Sequence, residues 1–218
     1  MALLEARGLT KRFLGVTAVD SVDLAVDTGE LVSLIGPNGS GKTTLFNCVT
    51  GYLAPDGGRV LFRGRDVTGV AAHRIARLGL GRTFQLVSVF PRLSALENLL
   101  TFLQQHQEES VVARLVRTPR LRRLEAAAVE RALALLESVG LGARAHDPAG
   151  TLSYGQRKLL AFAAALMPDP DLLLLDEPAA AVNPTTIQQM KEQIRALHRQ
   201  GKTVLLVEHN MDVVMDIS

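Results

Sequence analysis

The spacing of apolar and polar positions divides the chain into alternating strands and helices. Near the amino terminus the two kinds of residue alternate over 3–13 and 16–27, which predicts two short strands joined near Gly15. Later apolar stretches predict further strands at 31–35, 59–63, 80–85, 172–175 and 203–207. Amphipathic stretches between them predict helices at 44–49, 71–78, 157–167 and 184–200. Strands that alternate with helices in this way predict a parallel sheet with crossover helices.

A different pattern occupies the middle of the chain, from residue 94 to residue 140. Helical spacing predicts two apolar helix faces. One consists of Leu96, Leu99, Leu100 and Leu103, and the other of Val129, Leu133, Leu136 and Val139. The stretch between them, 104–124, is polar and basic around Pro119, and we expect it to be a loop. A separate helical subdomain is the simplest interpretation.

Composition narrows the class of protein. A chain of 218 residues with 47% hydrophobic residues can bury a sizeable core, and a single cysteine excludes a disulfide-dense scaffold. The longest apolar runs fall short of the roughly 20 residues that a membrane helix needs. A net charge of +2 is too small to indicate a nucleic-acid partner.

The strongest chemical signal is a glycine-rich stretch that follows the predicted strand 31–35. It fits the pattern G-x-x-x-x-G-K-[ST] and consists of Gly36, Pro37, Asn38, Gly39, Ser40, Gly41, Lys42, Thr43 and Thr44. In this pattern backbone N–H groups cradle phosphates, the lysine reaches the outer phosphates, and the Thr43 hydroxyl reaches a magnesium ion. A strand precedes it and a helix follows, as the pattern requires. We therefore predict nucleoside triphosphate binding.

Three further features carry candidate chemistry. Strand 172–175 ends in Asp176 and Glu177, and adjacent acids at the carboxyl edge of a parallel sheet are typical magnesium-binding groups. Strand 203–207 ends in Glu208 and His209. The stretch 152–156, Leu-Ser-Tyr-Gly-Gln, precedes a helix, where it could bind an anion or be an ordinary serine N-cap.

Two residues are ambiguous when each is taken alone. Phe13 could stack on a base or pack in the core, and Gln85 stands in a loop at the end of its predicted strand. Together with the phosphate loop, 152–156, 172–177 and His209, however, their order and spacing resemble the ATP-binding-cassette (ABC) ATPases over essentially the whole chain. The stretch 152–156 is similar to the LSGGQ motif of that family, with Tyr154 in place of a glycine.

The resemblance implies specific roles for these residues, with ATP and Mg²⁺ as ligands. Phe13 stacks on adenine, and residues 36–44 hold the phosphates. Four residues are implied in catalysis: Lys42 at the phosphates, Glu177 as the activator of water, His209 at the γ-phosphate, and Gln85 in support. The implied metal ligands are Thr43, Gln85 and Asp176. In the motif 152–156 the implied nucleotide-binding residues are Ser153, Gly155 and Gln156.

The resemblance also implies an assembly. Two ATPase subunits, identical or different, sandwich two ATP molecules, and Ser153 and Gly155 of each serve the nucleotide of the other. Membrane permease subunits are the implied partners, contacted near Gln85 and 86–92. A periplasmic or extracellular solute-binding protein takes part indirectly, and no nucleic acid is involved. The implied location is cytoplasmic, peripheral on the inner face of the cell membrane.

Within the family, the likeness is greatest to the ATPase subunits of branched-chain amino-acid importers. It rests on 82–85, 152–156 and 176–180 together with Asn183-Pro184. The predicted function is ATP hydrolysis coupled to import of branched-chain or related amino acids. Three alternatives stay open: an ABC ATPase of another transporter, including the lipopolysaccharide-export type; an ABC ATPase that acts on DNA or the ribosome; and a nucleotide-dependent scaffold with weak turnover.

The predicted fold is α/β, a P-loop NTPase with a RecA-like parallel-sheet core, an N-terminal antiparallel β subdomain and an inserted α-helical subdomain. We expect strands and phosphate loop in 1–87, the helical subdomain in 88–160, and the remainder of the core in 161–218. Ala181 stands where the importer branch commonly has glycine, which puts the flexibility of that segment in question. The resemblance also implies further strands and a helix beyond Ser218, so 161–218 is expected to be a truncated remainder.

Overall fold

The computed structural model describes residues 2–83, 89–103, 119–209 and 211–217. By their contacts the residues form two compact units. The first comprises Met1–Gln85, Pro170–Ala180 and Ile194–Ser218, and the second comprises Leu86–Asp169 and Ala181–Gln193. The predicted division at 87/88 and 160/161 stays a prediction. Within the described ranges, every helix is too short or too polar to span a bilayer.

An antiparallel sheet forms one layer of the first unit. Its strand order is β2-β1-β4-β5, where β1 is Ala2–Phe13, β2 Val16–Asp27, β4 Gly57–Phe62 and β5 Arg65–Asp66. The turn between β1 and β2 holds Leu14 and Gly15, both in the left-handed region at φ 43° and 89°. Two such residues match the twist of a hairpin, which confirms the predicted pair of strands. The short strand β5 was not predicted.

The second sheet of this unit is parallel, with strand order β3-β8-β7-β6. The strands are β3 Leu31–Ile35, β6 Leu80–Arg82, β7 Leu172–Asp176 and β8 Thr203–Glu208. Every residue of β7 and β8 is buried, as the unbroken apolar runs predict. Because all four strands run the same way, the residues that follow them gather at one edge. That edge carries the predicted chemistry.

Among the described residues, three complete helices belong to the first unit: α1 Lys42–Val49, α2 Ala72–Arg77 and α7 Met211–Ile217. One apolar core joins residues of both sheets with those of α1 and α2, and Phe46, Phe62 and Ile75 are among its largest buried side chains. The core fixes α1 against the sheets, and the phosphate loop lies immediately before that helix. The prediction did not include α7.

The second unit is helical, as predicted. It contains α3 Ala95–Leu100, α4 Pro119–Ser138, α5 Tyr154–Leu166 and the beginning of α6 Pro184–Arg199, whose last residues belong to the first unit. Short 3₁₀ turns occur at Gly142–Arg144 and Ala149–Thr151. Its core includes Leu99, Leu136 and Leu160, each with no exposed surface.

Two predicted elements differ from the observed ones. The loop expected at 104–124 is wrong for its last residues, because α4 begins at Pro119. A proline is well tolerated at the first position of a helix, where an N–H group has no helical partner to lose. Residues 104–118 lie outside the described part of the chain. The strand expected at 80–85 ends at Arg82, and Gln85 also lies outside the described residues.

Candidate functional site

The phosphate loop connects β3 to α1 in a conformation that requires glycine. Gly39 and Gly41 have φ values of 83° and 89°, in the left-handed region. A Cβ atom on Gly41 would lie 2.2 Å from the carbonyl oxygen of Ala18, on the neighbouring strand β2. The backbone conformation therefore requires glycine at both positions. The lack of a side chain at Gly41 also lets the start of α1 lie close to β2 of the antiparallel sheet.

Lys42 is held by the first residues of the phosphate loop. Its side chain is buried, and Nζ donates hydrogen bonds to the carbonyl oxygens of Gly36 at 2.7 Å and Pro37 at 2.8 Å. A cavity of about 360 Å³ lies beside it, lined by residues of β2 such as Ala18 and Asp20 and by the loop. The ammonium group is thus fixed at the wall of a cavity at the start of a helix, where an anion is favoured.

Asp176 and Glu177 follow β7 in two different environments. The side chain of Asp176 is 3% exposed, and its Oδ2 accepts a hydrogen bond of 2.9 Å from Nη2 of Arg82. Its Oδ1 is buried and accepts no hydrogen bond from any described residue. Glu177 has φ 47°, in the left-handed region, and its N–H donates to the Val207 carbonyl oxygen at 3.0 Å. That turn directs the chain away from the sheet directly after Asp176.

These residues fit a magnesium ion bound together with phosphates. Magnesium in phosphoryl-transfer sites is held by one or two protein oxygens, with substrate phosphates and waters as the other ligands. The Oδ1 atom of Asp176 is an unsatisfied carboxylate oxygen, and Thr43 supplies a hydroxyl in the first turn of α1. The described residues include no group of three or more His, Cys, Asp or Glu that could hold a metal without a nucleotide. Gln85, the third predicted ligand, lies outside the described residues.

His209 follows β8, next to the acids that follow β7. Its Nδ1 is 3.9 Å from Oε1 of Glu177, and its side chain is 48% exposed. The two strands are neighbours in register, with Asp176 opposite Val207. The structure therefore gathers the phosphate loop, both acids and the histidine at one edge of one sheet.

Glu208, to which the sequence analysis assigned no role, is the last residue of β8 and directly precedes His209. It is fully buried, and its Oε1 accepts a hydrogen bond of 2.9 Å from the N–H of Ala179. The contact holds the segment that begins at Glu177. Ala181, further along this segment, has φ 57°. That region favours glycine, which gives a physical reason for the glycine that relatives are expected to carry there.

The motif 152–156 lies in the second unit, where it starts helix α5. Ser153 is the N-cap: its Oγ accepts from the N–H of Gln156 at 3.2 Å, and Gln156 Oε1 accepts from the N–H of Ser153 at 2.9 Å. This is a capping box. A Cβ atom on Gly155 would lie 2.6 Å from Oγ1 of Thr186, so Gly155 permits close packing with α6. All three residues thus have a structural task, and their contact with a nucleotide stays a prediction.

Phe13 and Cys48, the single cysteine of the chain, also lie in the first unit. Phe13 ends β1, is 43% exposed, and has the ammonium nitrogen of Lys11 5.5 Å from its ring centre. Core packing is thereby excluded for Phe13, and adenine stacking stays a prediction. Cys48 is buried on α1, and burial raises the pKa of its thiol, which agrees with packing and not with reactivity.

Sequence reasoning assigned no role to Arg82, although its side chain is only 6% exposed and contacts Asp176. It does so across 94 positions of sequence, a separation that no local pattern reveals. The sequence carried one hint for each residue: Arg82 and Glu208 are both charged, and each ends an apolar strand. Charged residues at the carboxyl edge of a parallel sheet lie where ligands bind in such folds, so they are candidates for site-building contacts.

A glycine-rich phosphate loop before α1, with acids and a histidine at the adjacent strand ends, defines a nucleotide-binding α/β protein. Residues 19–180 match the family model described as ABC transporter, and the chain belongs to that family. The resemblance seen in the motifs is thereby confirmed.

Individual relatives agree with this assignment. The chain is 46% identical to the high-affinity branched-chain amino acid transport ATP-binding protein BraF of Pseudomonas aeruginosa, over 99% of this chain and 85% of BraF. A solved ADP conformation of an ATP-binding cassette of an ABC transporter has TM-score 0.84 and 35% identity, covering 100% of this chain and 85% of that one. A dimeric cassette in a post-hydrolysis state with ADP and Pi has TM-score 0.80 and 27% identity, covering 98% and 90%. The predicted fold class is confirmed.

Proposed function

We propose that this chain is the ATP-hydrolysing subunit of an ABC transporter that imports branched-chain or chemically related amino acids. One observation carries the ATPase part: the phosphate loop, Asp176, Glu177 and His209 meet at one edge of the parallel sheet. The similarity to BraF supports the solute class. This subunit acts on ATP, and permease subunits handle the solute.

In this proposal the triphosphate binds along the phosphate loop, with backbone N–H groups and Lys42 on its oxygens and Phe13 against the adenine. Thr43, Asp176 and Gln85 hold Mg²⁺, which when bound neutralises charge on the phosphate oxygens. Position and charge neutralisation dominate phosphoryl transfer, because the protein forms no covalent bond in it. The fixed Lys42 ammonium and the rigid loop suit that task.

Glu177 is the general base for the attacking water. Its carboxylate accepts a proton as the water oxygen bonds to the γ-phosphorus, and the bond from that phosphorus to the β,γ-bridging oxygen breaks to leave ADP and phosphate. His209 contacts the γ-phosphate from the neighbouring strand end. The separation of 3.9 Å between Nδ1 of His209 and Oε1 of Glu177 supports a shared target for both.

The second half of the site comes from another ATPase subunit. Ser153, Gly155 and Gln156 of that subunit close over the nucleotide, and the capping box leaves Ser153 and Tyr154 exposed at the start of α5. The dimeric cassette among the similar structures supports this arrangement. ATP binding then closes the dimer, and hydrolysis opens it. We place the subunit on the inner face of the membrane, against permease subunits near Gln85.

Steady-state phosphate release from the purified chain tests the ATPase role, with and without reconstituted permease. We expect turnover that requires Mg²⁺ and is lost in Lys42→Ala. Nucleotide binding without turnover under both conditions would favour a scaffold instead.

Light scattering of Glu177→Gln tests the assembly, because a chain that stays monomeric at saturating ATP contradicts the sandwich. Co-purification of the native permease and its binding protein, followed by solute-binding assays, tests the amino-acid assignment.

A further inference from the structure

Arg82, the last residue of β6, joins three elements of the first unit through one buried guanidinium group. Nη2 donates to Oδ2 of Asp176 at 2.9 Å. Nη1 donates to Oδ1 of Asn47 at 2.7 Å and to Oγ1 of Thr50 at 2.9 Å. The side chain is 6% exposed. A single cation thus connects the carboxyl end of β7 to the helix that follows the phosphate loop.

Aromatic rings restrict the guanidinium further. Its central carbon lies 5.8 Å from the ring centre of Phe46 and 5.5 Å from that of Tyr52. Arginine has a planar fork with fixed donor directions, and it stacks on aromatic faces. Three hydrogen bonds and two aromatic rings therefore restrict the orientation of the Arg82 guanidinium.

The residues that Arg82 contacts on α1 share a helix face with a predicted metal ligand. Thr43, Asn47 and Thr50 are spaced at i, i+4 and i+7, which places them along one side of the helix and its C-cap. Nη1 of Arg82 therefore binds the side of α1 that carries the Thr43 hydroxyl, and Nη2 binds Asp176. Arg82 thus links the elements that carry two predicted ligands of one cation.

The two oxygens of Asp176 are treated differently. Arg82 occupies Oδ2, whereas Oδ1 is buried and accepts no hydrogen bond from the described residues. The Asp176 N–H also donates to Oγ1 of Thr83, the residue after Arg82, at 3.4 Å. Rotation of the carboxylate would break the bond to Arg82, so the unsatisfied oxygen keeps one direction.

We infer that Arg82 is the positioning residue for the divalent cation: it fixes the Asp176 carboxylate relative to Thr43 and leaves one oxygen for the metal. This rests on the proposed function, which assigns Asp176 and Thr43 to Mg²⁺. Partners that orient metal ligands in this way typically contribute about 10–100-fold in metal affinity or activity. A residue that only neutralised the charge of a buried acid would not orient a metal ligand. A positioning residue, in contrast, affects the affinity for the metal more than the affinity for the nucleotide in the absence of metal.

Mn²⁺ titrations followed by electron paramagnetic resonance test the inference, with the purified chain and a non-hydrolysable ATP analogue. Arg82→Gln removes the charge, and Arg82→Lys keeps it but cannot reach all three partners. Arg63→Gln is the matched control, since Arg63 pairs with Asp171 at the opposite end of β7. Binding of the analogue in EDTA is measured in parallel by fluorescence, and circular dichroism checks the fold of each variant.

We expect Arg82→Gln to raise the Kd for Mn²⁺ in the analogue complex by about 10–100-fold, with the Kd of the analogue in EDTA unchanged. Arg82→Lys should fall between it and the wild type, and Arg63→Gln should match the wild type. Equal losses with and without metal, or no change at all, overturn the inference. If Arg82→Gln does not fold, Thr50→Val and Asn47→Leu each remove one α1 contact, and unchanged Mn²⁺ affinity in both overturns it. A wild-type chain that binds neither analogue nor Mn²⁺ contradicts the proposed function instead.

Discussion

Nδ1 of His209 lies 3.9 Å from Oε1 of Glu177, although the two residues are 32 positions apart along the chain. The distance exceeds that of a hydrogen bond. Two neighbouring parallel strands, β7 and β8, cause the approach, because each residue stands directly after its own strand. A carboxylate and an imidazole arranged in this way can act on one phosphate group from adjacent positions.

Glu177→Gln should lower kcat for ATP hydrolysis by about 10²–10⁴-fold, the usual contribution of a positioned general base. The variant keeps the phosphate loop and Lys42, so ATP affinity should stay near that of the wild type. Phosphate release and binding of a fluorescent ATP analogue measure the two effects. Glu192→Gln, at an exposed position on α6, is the control. Wild-type turnover in Glu177→Gln would remove Glu177 from the role of base.

Gly155→Ala should destabilise the protein by overpacking against Thr186. The added Cβ would meet Oγ1 of Thr186 at 2.6 Å, and overpacking typically costs about 1–3 kcal/mol. The double variant Gly155→Ala/Thr186→Ala should recover most of the loss, because it removes the colliding atoms. Urea unfolding of the four proteins gives the coupling energy.

Tyr154→Ala changes an exposed neighbour of Gly155 and serves as the control for this cycle. It should leave the free energy of unfolding nearly unchanged. Additive losses in the Gly155/Thr186 cycle would show that the two residues do not meet, and that the glycine is required for another reason.

Glu208→Leu should leave the N–H of Ala179 without its acceptor. A buried donor left unsatisfied costs about 1–3 kcal/mol, and this one belongs to the segment directly after Glu177. We therefore expect lower stability together with lower kcat. Glu208→Gln keeps an acceptor oxygen and should stay closer to the wild type in both measurements. If the two variants behave alike, the hydrogen bond to Ala179 is not what Glu208 contributes.

The capping box of α3 predicts a pH dependence. Hydrogen bonds from the backbone N–H and then the hydroxyl of Ser94 lower the pKa of Glu97 below its usual 4.5. A carboxyl group with a lower pKa in the folded state stabilises the fold above its unfolded pKa, and the contribution disappears as the pH falls through the folded pKa. The unfolding free energies of wild type and Glu97→Gln should therefore differ by a constant above pH 4.5 and converge below it. A difference independent of pH over that range would contradict the assignment.

Local pattern was sufficient for most of the parallel sheet. Strands β3, β7 and β8 are apolar runs bounded by polar residues, and their order along the chain already places the loop, Asp176 and His209 at one edge. The hairpin of β1 and β2 was equally visible, because alternation and Gly15 agree. Where burial and backbone geometry coincide in a short stretch, sequence reasoning succeeds.

It failed where the deciding contact is distant or where one residue type serves two purposes. The partner of Arg82 is 94 positions away, and the neighbour that requires Gly155 lies on another helix. Pro119 is a helix breaker in an interior position but begins α4, so the pattern alone predicted a loop. The sequence also did not reveal that the amide oxygen of Gln156 accepts from the N–H of Ser153 in the capping box of α5; the nucleotide contact of Gln156 stays a prediction.

The two hydrogen bonds of Lys42 determine at which step its ammonium group loses water, folding or ATP binding. An ammonium group has three donors, and carbonyl oxygens at the start of the loop accept from two of them. Most of the water around this cation is therefore lost when the chain folds and not when ATP arrives. An incoming phosphate meets a charge that is already stripped of solvent and aimed, so its attraction is little reduced by dehydration or by ordering of a long side chain. Folding, in this sense, performs in advance the part of nucleotide recognition that is hardest to achieve in water.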